Sequence, residues 1–163
     1  MNSNKKIITS AMLAALTFIF TMVIKIPSPI GGYLNLGDGI VLLGGAILSP
    51  FYAFLAAAIG SALADAASGY FIYVPATFII KGLMALIVSL ILRASQKNSF
   101  ILRGLCGLLA EVVMVGGYYI FEGFLYGFIP SLVNILPNAI QGLAGIVIGT
   151  TIIEIVKKRK FVK

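Results

Sequence analysis

The sequence predicts an all-α integral membrane protein that forms one bundle of six transmembrane helices, a single domain over residues 1–163. The chain has 163 residues, of which 60% are hydrophobic and 10% are charged, and its mean hydropathy is +1.09. A soluble domain carries about a quarter charged residues, so most of this chain must lie in lipid. Six spans use the whole length, and no soluble appendage is expected beside them.

Six apolar runs, separated by turn-forming or charged residues, define these helices. The second run is short for a bilayer, because a helix rises about 1.5 Å per residue and the hydrocarbon core is about 30 Å thick. A Ser-Pro pair separates this run from the third. The predicted spans are residues 7–24, 39–48, 51–67, 73–92, 105–124 and 133–156.

The first span carries two small residues, Ala11 and Ala15, one helical turn apart. Small residues let another helix approach closely in lipid. The pair is therefore either a packing surface within this bundle or a docking face for a partner protein.

The stretch 25–39 is the longest non-helical segment. Two prolines end the first helix and a Gly-Gly pair permits a tight turn. Tyr33, Asn35 and Asp38 give the segment side chains that bind ligands, so it is either a plain connector or a lid. Asp38 also begins the next apolar run, where it would serve as an N-cap or contact a ligand.

Lys81 lies inside the fourth span, on the same helix face as Tyr73 and Thr77. It is two turns, or roughly 12 Å, from the start of the run. An ammonium group at this depth is costly unless it is paired or reaches water. Asp65, at the end of the third span, is the nearest acidic residue across the hairpin. We expect an Asp65–Lys81 ion pair or, alternatively, a contribution of Lys81 to a polar pocket.

The fifth and sixth spans each carry a polar stripe along one helix face. The first stripe is Glu111, Val115, Tyr118 and Glu122, and the second is Asn134, Asn138, Gln141 and Gly145. A carboxylate or amide that faces lipid is costly, so both stripes are expected to line one inward-facing pocket. The deeper Glu111 favours a protonated carboxyl that bonds another helix, and the shallower Glu122 favours ligand contact.

Basic residues determine the expected orientation. If six spans place both termini in the cytosol, ten of the twelve basic residues lie inside. Only Lys25 lies outside, and Lys81 lies within the membrane, so a pocket near residues 25–38 opens outward. The inside set is Lys5, Lys6, Arg93, Lys97, Arg103, Lys157, Lys158, Arg159, Lys160 and Lys163.

The composition also excludes several kinds of chemistry. The chain has no histidine and one cysteine, Cys106, so the usual zinc and haem ligand sets and an intramolecular disulfide are absent from the sequence. No metal, cofactor or enzymatic activity is expected, and no nucleic acid, because the net charge of +7 follows the pattern of membrane orientation. The sequence has no Walker motif, so any ATP hydrolysis must come from other subunits.

Five short motifs together resemble the substrate-binding S component of energy-coupling-factor (ECF) vitamin transporters. They are AMLAAL in span 1, GGYLNLGD entering span 2, FIIKGLMALIV in span 4, GGYYIFE in span 5 and LPNAIQ in span 6. The resemblance covers nearly the whole chain. It implies a six-helix S-component bundle in the cell membrane that captures a vitamin or precursor outside.

The resemblance also implies partners and site residues. A transmembrane coupling subunit, expected to dock on Ala11 and Ala15, and two cytosolic ATPase subunits would complete the transporter. The substrate-binding residues implied by position are Tyr33, Asn35, Lys81, Tyr118, Glu122, Asn134, Asn138 and Gln141.

The motifs of spans 5 and 6 look most like the branch associated with hydroxymethylpyrimidine or pyridoxine-type compounds. Riboflavin and thiamine are the alternative substrates. Three other classes stay open: a stand-alone secondary transporter in which Glu111 couples protons, an intramembrane enzyme, and a purely structural subunit.

Overall fold

A computed structural model of the chain describes residues 3–95 and 99–158, and it is almost entirely helical. A 3-10 turn at Leu132–Asn134 links the sixth and seventh helices. The helices are α1 (Ser3–Val23), α2 (Asp38–Ile47), α3 (Pro50–Ala67), α4 (Val74–Ala94), α5 (Phe100–Tyr126), α6 (Phe128–Ser131) and α7 (Ile135–Lys158).

Five helical stretches of the described chain are long and apolar enough to cross a membrane. They confirm the predicted all-α membrane fold. The predicted second span, 39–48, is the ten-residue helix α2, which measures only about 15 Å. The five stretches are Asn4–Val23, Pro50–Ala67, Val74–Ala94, Phe100–Tyr126 and Phe128–Lys158.

Local sequence signals explain where these helices begin. Pro50 occupies the first turn of α3, where its missing N–H costs nothing. The hydroxyl of Ser99 caps α5 by accepting a hydrogen bond from the backbone N–H of Leu102 at 3.2 Å. Pro137 falls in the first turn of α7, which tolerates it for the same reason as α3.

The short helix α2 lies in the interior of the bundle. It packs against α4 and α7, while α3 lies between α1 and α4, and α5 lies between α4 and α7. Residues 38–45, eight of the ten in α2, are buried. Because protein rather than lipid surrounds this helix, its short length leaves no polar backbone exposed to the hydrocarbon.

Apolar side chains cover the outside of the bundle. Ile129 is 83% exposed and Phe124 is 78% exposed, while the charged Asp38 and Lys81 are 0% and 2% exposed. This arrangement is opposite to that of a soluble protein and suits a lipid environment. The protein is therefore a multi-pass membrane protein.

The segment between α1 and α2 covers one end of the bundle. It contains a two-stranded antiparallel ribbon in which β1 (Ile26–Pro27) pairs with β2 (Tyr33–Leu34). Gly32 has a φ of +73°, a conformation that a residue without a Cβ adopts readily. The ribbon and the residue that follows it place Tyr33 against Asp65 near the end of α3, and Asn35 against Gln141 of α7.

The packing between α1 and α3 does not use the two predicted small residues. The two helices approach each other closely at Gly60 of α3 instead. A Cβ added to Gly60 would collide with the backbone oxygen of Ala14 and would lie 2.9 Å from Cβ of Thr17. Ala11 and Ala15 are exposed instead, along a groove between α1 and α3. Packing within this bundle therefore leaves both residues uncovered.

Several basic residues that the structure describes near helix ends lie opposite the ribbon, whereas Lys25, which follows α1, lies beside it. The side chain of Arg103 bonds Glu154 at 2.7 Å and thereby joins the start of α5 to the end of α7. Arg93, Lys157 and Lys158 occupy the same end. Four further residues of the predicted inside set lie outside the described residues, namely Lys97, Arg159, Lys160 and Lys163.

Candidate substrate-binding site

A polar cavity lies beneath the ribbon, among α3, α4, α5 and α7. Its volume is about 470 Å³, including the part that opens to solvent. It is lined by Thr21, Ser28, Gly31, Gly32, Tyr33, Asn35, Ser61, Asp65, Tyr70, Tyr73, Thr77, Lys81, Tyr118, Glu122, Asn138 and Gln141. Four tyrosine rings and several hydrogen-bonding side chains therefore converge on one space inside an otherwise apolar bundle.

The floor of the cavity is an ion pair between Lys81 of α4 and Asp38 of α2, and both side chains are almost fully buried. Gln141 of α7 donates from Nε2 to Oδ2 of Asp38 at 2.6 Å. Its Oε1 accepts a hydrogen bond from the backbone N–H of Asn35 at 2.8 Å. Gln141 thus connects the floor to the ribbon segment, and Lys81 has the partner that its depth requires.

The position of Asp38 in the structure differs from two expectations, one about the partner of Lys81 and one about the cap of α2. The expected Asp65–Lys81 ion pair is replaced by Asp38–Lys81, because α2 enters the bundle directly beside α4. Asp38 does not cap its own helix either: Gly37 occupies the N-cap position, and the Asp38 carboxylate bonds side chains of α4 and α7.

Asp65 makes a different contact, with the ribbon. The hydroxyl of Tyr33 donates to Oδ1 of Asp65 at 2.8 Å. Burial raises the pKa of the Tyr33 phenol, and the neighbouring Asp65 charge adds to the effect, so Tyr33 remains a proton donor at neutral pH. The ring of Tyr33 also lies 5.0 Å from the ring of Tyr70, centroid to centroid. These contacts fasten the ribbon to the end of α3.

Glu122 of α5 forms the opposite wall. Its Oε1 accepts hydrogen bonds from the Tyr73 hydroxyl at 3.3 Å and from Nδ2 of Asn134 at 3.0 Å. Asn134 Nδ2 also approaches the backbone oxygen of Gly31 at 3.4 Å. Asn134 lies behind Glu122 and positions it, whereas Glu122 itself lines the cavity.

Thr77 and Tyr118 close the remaining side, where their hydroxyls lie 3.0 Å apart. The ammonium of Lys81 lies 5.5 Å from the centroid of the Tyr118 ring. Tyr118 therefore presents an aromatic face next to the charged floor, an arrangement that suits a flat ligand with polar edges.

Glu111 lies behind the floor rather than in the cavity. Its carboxyl packs against the bare backbone of two glycines of α7: a Cβ on Gly142 would lie 3.1 Å from Oε2, and one on Gly145 would lie 2.8 Å from Oε1. A Cβ on Gly145 would also lie 2.7 Å from Cβ of Asp38. Within the described chain neither Glu111 oxygen has a hydrogen-bond partner, so the expected bond to another helix is not formed.

The structure brings seven of the eight predicted substrate-binding residues to the cavity wall. They are Tyr33, Asn35, Lys81, Tyr118, Glu122, Asn138 and Gln141. Sequence reasoning did not select Thr21, Ser28, Ser61, Tyr70, Tyr73 or Thr77 as site residues. A signal existed for two of them, because Tyr73 and Thr77 share a helix face with Lys81.

Comparison with known proteins agrees with this architecture. Residues 1–158 match the family model described as "ECF-type riboflavin transporter, S component". A protein of Pyrococcus woesei, described as an uncharacterized protein in a gap 3' region, is 34% identical over 142 residues, which are 86% of this chain and 94% of that protein.

Two solved structures have the same fold. One is the S component for biotin from an ECF-type ABC transporter, with a TM-score of 0.71 and 18% identity over 97% of this chain and 95% of the other. The second is the S component of a bacterial ECF transporter, with a TM-score of 0.67 and 22% identity over 97% and 96% of the two chains. Since the family model extends over nearly the whole sequence, the chain belongs to the S-component family of ECF transporters, which are vitamin-transport proteins of the membrane and not enzymes.

Proposed function

We propose that the chain captures a small water-soluble vitamin, or a precursor of one, with high affinity from outside the cell. The observation that carries this proposal is the buried polar cavity beneath the ribbon, at the end of the bundle opposite most basic residues. Both termini then lie in the cytoplasm, as the distribution of Lys and Arg favours. The cavity opens outward in this orientation, as uptake requires.

The cavity suits a hydroxylated pyrimidine or pyridine, that is, hydroxymethylpyrimidine or a pyridoxine-type compound. The tyrosine rings offer stacking surfaces. Asn138, Glu122 and Ser61 offer donors and acceptors at the edges of a flat ring.

Riboflavin is the second candidate, and the description of the matching family favours it. A flavin is larger and would need more room than a single-ring vitamer. That room would come from displacement of the ribbon. The ribbon is now held over the cavity by two hydrogen bonds, Tyr33–Asp65 and Asn35–Gln141.

Isothermal titration of the purified chain distinguishes these substrates. The panel is hydroxymethylpyrimidine, pyridoxine, thiamine and riboflavin. We expect a single-ring vitamer to bind with a Kd of about 1 µM or tighter, or about −8.2 kcal/mol. Tighter binding of riboflavin than of both single-ring compounds would reject the proposed substrate and keep the function. Absence of binding to any member up to the millimolar range would contradict vitamin capture.

Uptake also requires partners. We propose that a transmembrane coupling subunit docks on the groove between α1 and α3 that Ala11 and Ala15 line, and that two cytosolic ATPase subunits drive transport. The exposure of these small residues supports the proposal, because the bundle itself does not use them for packing.

A further inference from the structure

The acidic residues of the chain are concentrated around the cavity. The sequence has five, and four of them are buried in the half of the bundle beneath the ribbon. They are Asp38, Asp65, Glu111 and Glu122, with exposed fractions of 0%, 6%, 4% and 2%. Lys81 is the one buried basic residue beside them.

Two of these carboxyls face the cavity without a basic partner. Among residues 3–95 and 99–158 the ion pairs are Lys81–Asp38 and, at the far end of the bundle, Arg103–Glu154. The Lys81–Asp38 pair is neutral as a unit. Lys25 lies at the exposed rim, where its ammonium bonds the Ser68 hydroxyl at 3.0 Å. Asp65 and Glu122 therefore face the cavity with no basic side chain bonded to them.

Glu122 also has an unused acceptor. Both donors that reach it, Tyr73 and Asn134, bond Oε1. Its Oε2 is buried and has no hydrogen-bond partner in the described part of the chain, and neither has the hydroxyl of Ser61, which lines the same cavity. A buried carboxylate oxygen without a donor is costly, and a bound ligand that donates to it removes that cost.

We propose that the cavity selects a positively charged ligand, a protonated nitrogen heteroaromatic ring or an organic ammonium, whose N–H bonds Oε2 of Glu122. This inference rests on the proposed function and narrows its substrate class. A charge-assisted hydrogen bond to the carboxylate supplies recognition. The tyrosine rings supply cation–π attraction, which is strongest in a desolvated site.

The groups around Glu122 agree with this assignment. The hydrogen-bond partners of Glu122 are Tyr73, which precedes α4, and Asn134 of the 3-10 turn, and neither is a basic residue. Asp65 lines the same cavity and is an acidic rather than a basic residue, and the Lys81 ammonium is already paired with Asp38. Nothing in this set repels a cation at Oε2.

Titration calorimetry with matched ligand pairs tests the inference on the full-length protein at pH 7. One pair is 4-amino-5-hydroxymethyl-2-methylpyrimidine and its non-basic 4-oxo analogue, and the other is pyridoxamine, which carries an ammonium, and pyridoxine. The basic member should bind at least roughly tenfold more tightly, or about 1.4 kcal/mol. Glu122→Gln, which keeps the size and an acceptor for Tyr73, should shrink this preference to within about threefold. Glu154→Gln, at the far end, should leave it unchanged.

Each outcome separates the inference from the proposed function. Equal affinity for both members of a pair, or a preference that survives in Glu122→Gln, would overturn the charge selection and leave vitamin capture intact. Absence of binding to every ligand tested would overturn both. Unfolding of Glu122→Gln is monitored with a thiol-reactive dye that reports exposure of the buried Cys106, so that a loss of fold is not taken for a loss of preference.

Discussion

Replacement of Lys81 by methionine is expected to abolish vitamin binding and to lower the stability of the bundle. The change removes the only cation beside Asp38 among the described residues and leaves a carboxylate that is 0% exposed. Breaking a buried ion pair in this way costs about 3–5 kcal/mol. The measurement is thermal unfolding in detergent, with a thiol-reactive dye that detects Cys106, the one cysteine of the chain.

A second substitution tests whether Asp38 is the true partner of Lys81. Asp38→Asn combined with Lys81→Met removes both charges, so the double variant should recover more than half of the stability lost in Lys81→Met. Asp65→Asn combined with Lys81→Met is the matched control and should recover little, because Asp65 bonds Tyr33. The reverse pattern of recovery would contradict the arrangement of the cavity floor.

Tryptophan at Ala11 and Ala15 is expected to abolish energised uptake while vitamin affinity stays within about twofold, or about 0.4 kcal/mol. Both alanines are exposed in the groove between α1 and α3, and a large ring there would hold a partner helix away. The cavity lies at the ribbon end of the bundle, so binding by the isolated subunit should persist. Uptake into proteoliposomes that contain the coupling subunit and the ATPases measures the effect, and we expect a loss of at least roughly tenfold.

Met12→Trp is the control for this experiment. Met12 lies on the same helix and is 61% exposed, but it does not line the groove. Its replacement should leave uptake near that of the unmodified protein. Equal losses of uptake in both variants would show a general effect on α1.

Uptake by the unmodified protein that continues without ATPases and collapses with the proton gradient would favour a proton-coupled secondary transporter.

Hydropathy predicts the helical framework well, because lipid requires long apolar segments whose backbone bonds itself. The predicted span 133–156 corresponds to α7, and the short run 39–48 corresponds to α2. Burial of α2 against α4 and α7 could not be predicted, since a run of ten apolar residues is compatible with several positions in or near a bilayer.

The cavity was predictable where polar residues recur along one helix face. Tyr118, Asn138 and Gln141 were found in this way, and all three line the cavity. The partner of Lys81 was not predictable from neighbouring spans, because pairing depends on which helices touch. Asp65 is nearer along the chain, but α2 brings Asp38 into contact.

Asn134 shows a further limit of the periodic argument. Its spacing to Asn138 and Gln141 predicts a common helix face, yet Asn134 lies in a 3-10 turn before α7 begins. It therefore points to Glu122 instead of the cavity. Thr21 and Tyr70 reach the cavity from a helix end and a connecting turn, where no periodic pattern exists to mark them.

Native mass spectrometry of the detergent-solubilised chain, incubated with a mixture of water-soluble vitamins and their precursors at micromolar concentration, tests the central claim most directly. The cavity predicts a single adduct of one ligand per chain with the mass of a hydroxylated pyrimidine or pyridine. That adduct should disappear in Lys81→Met. A spectrum that shows only the bare chain across the whole mixture, while the protein remains folded, would contradict the assignment of this cavity to vitamin capture.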